Sequence, residues 1–418
     1  MKIVHLTNSD LNGGAARACY RIHHSLRIIG VDSKIVTQQK LSVDDSVILI
    51  NESIIEKIKT FVRRGFDWLT IELFTIKGRG RFTFPFWGND ISKNKFVKEA
   101  DIISLQWINE GFLSLNSLYK LKKLNKPIVW TNHDMWAFTG GCHYTGDCEN
   151  YLTECKNCPS LKHSGKKDYS NKIFQTKKNL YSDMNLSLIT CSNWLANEAG
   201  KSELLKDKRI EVIPNPIETD IFIQHNKAES RKKLNLPEDK FLLLFVSMTV
   251  KDKRKGLLYL NRALNMLFEK NRNIKDIELL VLGAAEESFF ENLPFKTNLL
   301  GRLSNSIEIA ECYSAADLFI APSLEDNLPN TVMESLSCCT PVVAYNIGGM
   351  PDMIDHEQNG YLAKRKNEED LMKGILWFYN LPENDKKFIR ANARQKILNN
   401  FTYEKVGKKY QTFYESLL

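Results

Sequence analysis

Short apolar runs alternate with helix-periodic stretches along the whole chain. In the first half the runs are "KIVHLT" (2–7), "DSKIVTQ" (32–38), "DIISLQW" (101–107), "PIVWTNH" (127–133), "LSLITCS" (186–192) and "IEVIPN" (210–215). They are rich in Ile, Val and Leu and lack strict alternation, the pattern of parallel strands covered by helices on both faces. Between the first two, Ala18, Ile22, Leu26 and Ile29 fall at helical spacing and Gly30 marks a stop. The second half repeats the pattern with "KFLLLFVS" (240–247), "IELLVLG" (277–283), "DLFIAPS" (317–323) and "PVVAYN" (341–346). The chain ends in one amphipathic helix over 402–418, with Val406, Tyr410, Phe413 and Leu417 on a single stripe.

Strand–helix alternation predicts an α/β fold with doubly wound parallel sheets, and two such sets predict two Rossmann-like domains facing across a cleft. Ligands are expected outside the carboxyl ends of the strands. The 418 residues agree, being more than one core usually serves. Pro214 and Pro216 stiffen "IPNPIETDIF" (213–222). The boundary is therefore set there, with an N-terminal domain over 1–214 and a second over 215–401.

Residues 51–98 break the rhythm, mixing Phe, Trp and Ile with Lys and Arg. Two readings stand: an inserted helix packed on the first domain, or a face that lies against a membrane or a lipid-linked acceptor. Further on, "HEQNGYLA" reads as a hairpin-like turn.

Composition narrows the class. The chain is 43% hydrophobic and 26% charged, with no apolar run near the ~20 residues of a membrane span. "MKIVHLTNSDLNGG" reads as a strand and its loop rather than a signal peptide, so a cytoplasmic location is expected. The net charge of +8 fits a solvated surface, phosphate ligands or an anionic membrane face. Nucleic acid is not an expected partner, since no such motif is present.

Candidate chemistry sits at strand ends. Gly13 and Gly14 follow the first strand and leave amide groups uncovered before a helix, although the third glycine of a dinucleotide fingerprint is missing. His133 and Asp134 close another strand. Lys251, Lys253, Arg254 and Lys255 crowd together before Gly256, either as a solvated charge run or as phosphate ligands. The stretch "EDNLPNTVMESL" places Glu325 and Asp326 in a loop and opens a helix near Pro329. Amides near Asn330 and Thr331 are placed to bind phosphate or sugar oxygens. Glu334, one turn on, suits either a ribose diol or the helix dipole.

Taken together these residues resemble glycosyltransferase family 4, the retaining nucleotide-sugar enzymes of GT-B fold. "APSLEDNLPNTVMESLSCCTPVVAYNIGGMPDMIDHEQNGYLA" is the most specific part, and "GGAARA", "VIPNPIE", "RKG", "LLGRLS" and "YSAADLFIAPS" fit in order. "HDMWAFTGGCHYTGDC" is similar to a bacterial branch that builds surface polysaccharides. The resemblance implies a UDP- or GDP-sugar donor, a glycan or polyprenyl-diphosphate-linked acceptor, and peripheral attachment to the inner face of the cytoplasmic membrane. No catalytic metal is expected. It also implies that Glu334 binds the ribose, Asp326 the donor sugar, Lys255 the phosphates, Gly14 the donor or acceptor, and that His133 lies near the transferred sugar. The helix over 402–418 would return to the first domain. Two departures stand out: Asp326 replaces the first glutamate of the family's pair, with Glu325 adjacent, and Met248 stands where an arginine is usual, leaving Arg254 to supply a guanidinium. A nucleotide-sugar 2-epimerase and a non-catalytic sugar-nucleotide binder are the alternatives.

Cys142, Cys148, Cys155 and Cys158 are separated by five, six and two residues. Four thiolates at that spacing suit a structural zinc site, against reduced and merely packed thiols.

Overall fold

Why the apolar runs lack alternation is evident in the computed structural model, which describes residues 1–50 and 53–418. Asn51 and Glu52, included in the 51–98 expectation, lie outside the described residues. The chain divides into two units, Met1–Pro216 with Tyr403–Leu418, and Ile217–Thr402.

In the first unit, β1 (Lys2–Ser9), β2 (Asp32–Gln39), β3 (Val47–Leu49), β4 (Ile102–Leu105), β5 (Ile128–Asn132), β6 (Leu186–Thr190) and β7 (Ile210–Val212) form a parallel sheet in the order β3-β2-β1-β4-β5-β6-β7. Strands β4, β5 and β6 are buried along their whole length. Helices α1 (Gly14–Ile28), α2 (Ile54–Phe74), α3 (Lys95–Glu99), α4 (Leu115–Lys122), α5 (Tyr169–Tyr181) and α6 (Asn193–Lys201) connect them. Polar residues start these helices where the sequence supplies them: the Asp168 and Ser192 side chains accept from the Asn171 and Leu195 amides.

The second unit contains α7 (Lys227–Lys233), β8 (Phe241–Thr249), α8 (Leu257–Lys270), β9 (Ile277–Ala284), β10 (Thr297–Gly301), α9 (Ser306–Ala315), β11 (Leu318–Ala321), α10 (Asn330–Ser337), β12 (Val342–Tyr345), α11 (Met350–Met353), β13 (Gly360–Ala363), α12 (Glu368–Asn380) and α13 (Glu383–Asn400). Its parallel sheet runs β10-β9-β8-β11-β12-β13.

The final helix, α14 (Tyr403–Glu415), belongs to the first unit. Val406, Tyr410, Phe413 and Tyr414 share one apolar cluster with Ile3, Ile22 and Leu26. Fully burying each large side chain contributes about 1.5–3 kcal/mol. Gly407 lets the helix approach α1, because a Cβ there would lie 2.7 Å from the Ser25 carbonyl oxygen.

Strands β3, β10 and β13 were not expected. They are three to five residues long and sit at sheet edges, with no buried apolar run to announce them. The turn expected at "HEQNGYLA" is present, with the Glu357 amide donating to the Gly360 carbonyl at 2.7 Å, but the residues after it, Gly360–Ala363, pair in parallel with β12 rather than in a hairpin.

Both sheets reverse strand order beside their first strand, between β1 and β4 and between β8 and β11. The loops after these strands frame the crevice where doubly wound sheets bind ligands.

Candidate functional site

In the second unit, the loops after β8 and β11 are tied to each other. Asp252 starts the turn over Lys253–Lys255 by accepting from the Arg254 amide at 3.0 Å. The Leu324 amide donates to the Arg254 carbonyl at 2.8 Å, and the Arg254 guanidinium donates to the Glu325 carbonyl at 2.9 Å. Lys255 Nζ donates to Asp326 Oδ2 at 2.7 Å, with Arg254 Nη1 3.7 Å from the same oxygen. The Asp326 side chain is 12% exposed and that of Lys255 21%. Burial alone raises the Asp326 carboxyl, but the charges of Lys255 and Arg254 outweigh it and hold the group below the usual carboxylate range. The Lys255 side chain therefore stands at the β8/β11 switch point, aimed by a carboxylate.

Two glycines make this arrangement sterically feasible. Gly256 has φ +76°, and a Cβ there would lie 1.9 Å from the Pro322 carbonyl oxygen. Gly348 has φ +51°, and its Cβ would lie 1.7 Å from the Asp326 carbonyl oxygen. The next residue, Gly349, donates its amide to the Asn327 carbonyl at 2.6 Å. The "IGGM" sequence thus clamps the loop that carries Asp326. Gly348→Ala is expected to destabilise the second unit by about 2–4 kcal/mol, through a forced left-handed backbone and a clash with main chain. A thermal melt of the purified variant checks this.

Helix α10 opens at Pro329 with no side-chain cap. Thr331 and Lys255 line one pocket with Ser323, Pro329 and Met350. Asn330 takes the first helical position, half-buried. Glu334 is 9% exposed and accepts from the Tyr313 hydroxyl at 3.2 Å. The structure therefore brings Arg254, Lys255, Glu325, Asp326 and Thr331 into one locality, while Glu334 lies a turn deeper along α10. Of the two adjacent acids, the Asp326 carboxylate pairs with Lys255, whereas Glu325 contributes its carbonyl to Arg254.

The first unit has a pocket at the ends of β4 and β5, lined by Gln106, Trp107, Asn132, His133, Asp134 and Trp136 among others. His133 Nε2 meets Gln106 Oε1 at 2.9 Å and His133 Nδ1 meets Cys191 Sγ at 3.6 Å. The Gln106 oxygen accepts, so Nε2 carries the proton. Burial lowers His133 to about 4, against a weaker upward pull from Asp134, so the ring is neutral near pH 7. Gly13 and Gly14 open α1 elsewhere at this sheet end: Gly13 has φ +96°, with open space where a Cβ would be.

Sequence reasoning missed three residues of this pocket region. Gln106 orients His133 while its amide donates to Ser104 and Thr131. His143 Nδ1 donates to Asp134 Oδ2 at 2.6 Å, and Thr83 bonds its Nε2 at 3.0 Å. Burial lowers His143 against the pull of Asp134, and Asp134, which burial would raise, is lowered by His143. Only Gln106 left a trace in the sequence, as a polar residue ending an apolar run.

Cys142, Cys148, Cys155 and Cys158 lie in one loop region, where their charges act on one another. Among the described residues, no three His, Cys, Asp or Glu side chains are grouped to hold a metal ion. Other bonds staple this loop. The buried Lys177 ammonium donates to the Trp136 and Thr139 carbonyls, and Asp168 accepts from the Cys158, Gly165 and Asn171 amides. The Gly140 amide donates to Cys155 Sγ at 3.2 Å. Burial pushes the Cys142 and Cys158 thiols up and Cys155 to about 12.

Comparison with known proteins now bears on both units. Residues 12–221 match Glycosyltransferase Family 4, and residues 226–396 match Glycosyl transferases group 1. An uncharacterized glycosyltransferase of Methanocaldococcus jannaschii, MJ1607, is 23% identical over 301 residues, covering 64% of this chain and 74% of that protein. The capsular polysaccharide biosynthesis glycosyltransferase CapM of Staphylococcus aureus is 24% identical over 243 residues, covering 55% of this chain and 62% of CapM. The chain thus spans less than two thirds of CapM. Among solved structures, Anabaena Alr3699/HepE in complex with UDP superposes with a TM-score of 0.66 at 14% identity, covering 100% of both chains. That likeness shows the fold class, two parallel-sheet α/β units of GT-B type.

Proposed function

The chain belongs to glycosyltransferase family 4, and from that premise we propose that it moves a sugar from a UDP- or GDP-sugar to a glycan or lipid-linked acceptor during assembly of a bacterial surface polysaccharide. The observation that carries the reading is the Lys255–Asp326 pair beside the start of α10, at the switch point of the second sheet. A relative named for capsule biosynthesis and a UDP complex of a structural neighbour support the acceptor and donor classes.

In this reading the donor diphosphate lies against Lys255 and the first amides of α10, and Glu334 accepts from the ribose hydroxyls. Asp326 keeps the ammonium aimed and offers its other oxygen to the donor sugar. As the bond from C1 to the diphosphate oxygen breaks, negative charge grows on the leaving group, and Lys255 and the helix dipole offset it. The acceptor hydroxyl attacks C1 from the face the diphosphate leaves, so the anomeric configuration is retained. Its proton passes to a β-phosphate oxygen. Neutral His133 serves as a hydrogen-bonding group, and positioning supplies much of the remaining rate. A lipid-linked acceptor places the enzyme on the inner face of the cytoplasmic membrane.

A panel of nucleotide sugars tests this. Transfer predicts release of nucleoside diphosphate together with a new glycoside. An altered sugar nucleotide with no diphosphate released would instead identify a 2-epimerase, and neither product a binder.

A further inference from the structure

Helix α2 has its polarity inverted. At 100° per residue, Ile54, Ile58, Phe61, Phe66, Trp68 and Leu73 fall within an arc of about 160°. That arc faces solvent: Ile54 is 76% exposed, Phe61 79% and Trp68 63%. The opposite face, which packs on the first unit, is largely polar. Asp67 is buried there, Thr60 accepts from Arg63, and the Arg63 backbone rests against Gly111. Apolar anchoring comes only near the end of the helix, where Ile71 and Phe74 join the core and Phe74 packs on Phe84 and Tyr169. The helix is thus held largely by its polar side.

Cations border the arc. Lys59, paired with Glu56 at 2.6 Å, lies along one edge, and Lys57 and Arg64, the latter 3.6 Å from Glu110, lie along the other, all exposed. Beyond the helix, Phe86 and Trp87 are also exposed, with Trp87 stacked on Phe66 at 5.2 Å, and Lys77, 84% exposed, pairs at 3.0 Å with Glu72, the one acid within the arc. A broad apolar strip edged by lysine and arginine suits a helix lying in the plane of an anionic bilayer, with its rings among the acyl chains and its cations at the headgroups. Spanning is excluded by Arg63 and Asp67 in mid-helix, and no described helix is long and apolar enough to cross a membrane. A second copy suits the strip less well, since a twofold contact would bring these rows of like charge together.

We propose that α2 docks the protein on anionic phospholipid bilayers through this face. The inference deepens the membrane-linked acceptor reading above by naming the surface that makes contact. Cosedimentation with phosphatidylcholine vesicles, with and without about 30 mol% phosphatidylglycerol, tests it. Wild-type protein is expected to pellet with the anionic vesicles and to be released by salt. Phe61→Ser/Trp68→Ser should lower the partition coefficient about 100-fold, and Lys57→Glu/Lys59→Glu about 30-fold or more. Both variants should keep wild-type circular dichroism and wild-type diphosphate release with a soluble acceptor, so that failure of docking and failure of the transferase reading separate. Wild-type protein left in the supernatant, or a serine variant that pellets equally, would overturn the proposal. So would a lipid-free dimer that becomes monomeric in the serine variant while vesicles capture neither protein.

Discussion

Lys255→Ala is expected to lower turnover with a nucleotide-sugar donor by about 1,000-fold, the upper range for removing one preorganised charge-stabilising group. The ammonium is 21% exposed and fixed at 2.7 Å from Asp326, so its charge acts in a partly desolvated site where water cannot substitute for it. The loss should fall mainly on kcat, because charge on the departing diphosphate is greatest in the transition state. Removing the ammonium also leaves the Asp326 carboxylate with the more distant Arg254, 3.7 Å away, so a modest loss of stability is expected alongside. Lys255→Arg separates the effects. It keeps the charge but not the compact geometry, and should recover part of the rate. Steady-state kinetics paired with a thermal melt provide the check; near-wild-type turnover of a folded Ala variant contradicts the assigned role.

Glu334→Ala is expected to weaken nucleoside diphosphate binding about 100-fold. Two hydrogen bonds from ribose hydroxyls to a carboxylate contribute about 1.5–3 kcal/mol each, and losing both with partial compensation gives that factor. The Tyr313 hydroxyl, which donates to Glu334 at 3.2 Å, also loses its acceptor. A stability cost of about 1–3 kcal/mol therefore accompanies the affinity loss. Glu334→Gln retains an oxygen for Tyr313 and should restore stability while recovering only part of the affinity. Equilibrium titration of both variants distinguishes a ribose ligand from a purely structural acid, which would move the melt and leave affinity unchanged.

Much of the fold was legible because parallel strands buried on both faces must be apolar throughout. The runs ending at His133, Ser192 and Ser323 announce β5, β6 and β11 for that reason. The closing helix was legible from Val406, Tyr410 and Phe413, whose spacing allows only one buried stripe. The edge strands β3, β10 and β13 were not, because backbone pairing with a neighbour defines them and side-chain burial does not.

The site divides in the same way. Lys255 was readable as part of a basic run after a strand, Asp326 as an acid in a loop after a strand, and Thr331 as the start of a helix near Pro329. The clamp between Gly348 and the Asp326 carbonyl was not, since it joins two loops through main-chain contact alone. The choice between Glu325 and Asp326 as the partner of Lys255 also required three dimensions. For the Cys142–Cys158 segment, spacing carries no information about Lys177 and Asp168, whose hydrogen bonds hold the loop. For α2, the sequence gives the amphipathic stripe, and only the structure reveals that the polar side faces inward.

Calorimetric titration of the protein with UDP and with GDP tests the central claim most directly. The account predicts saturable heat with at least one of the two, strongly reduced in Glu334→Ala. Heat from neither nucleotide, with the protein shown to be folded, would contradict it.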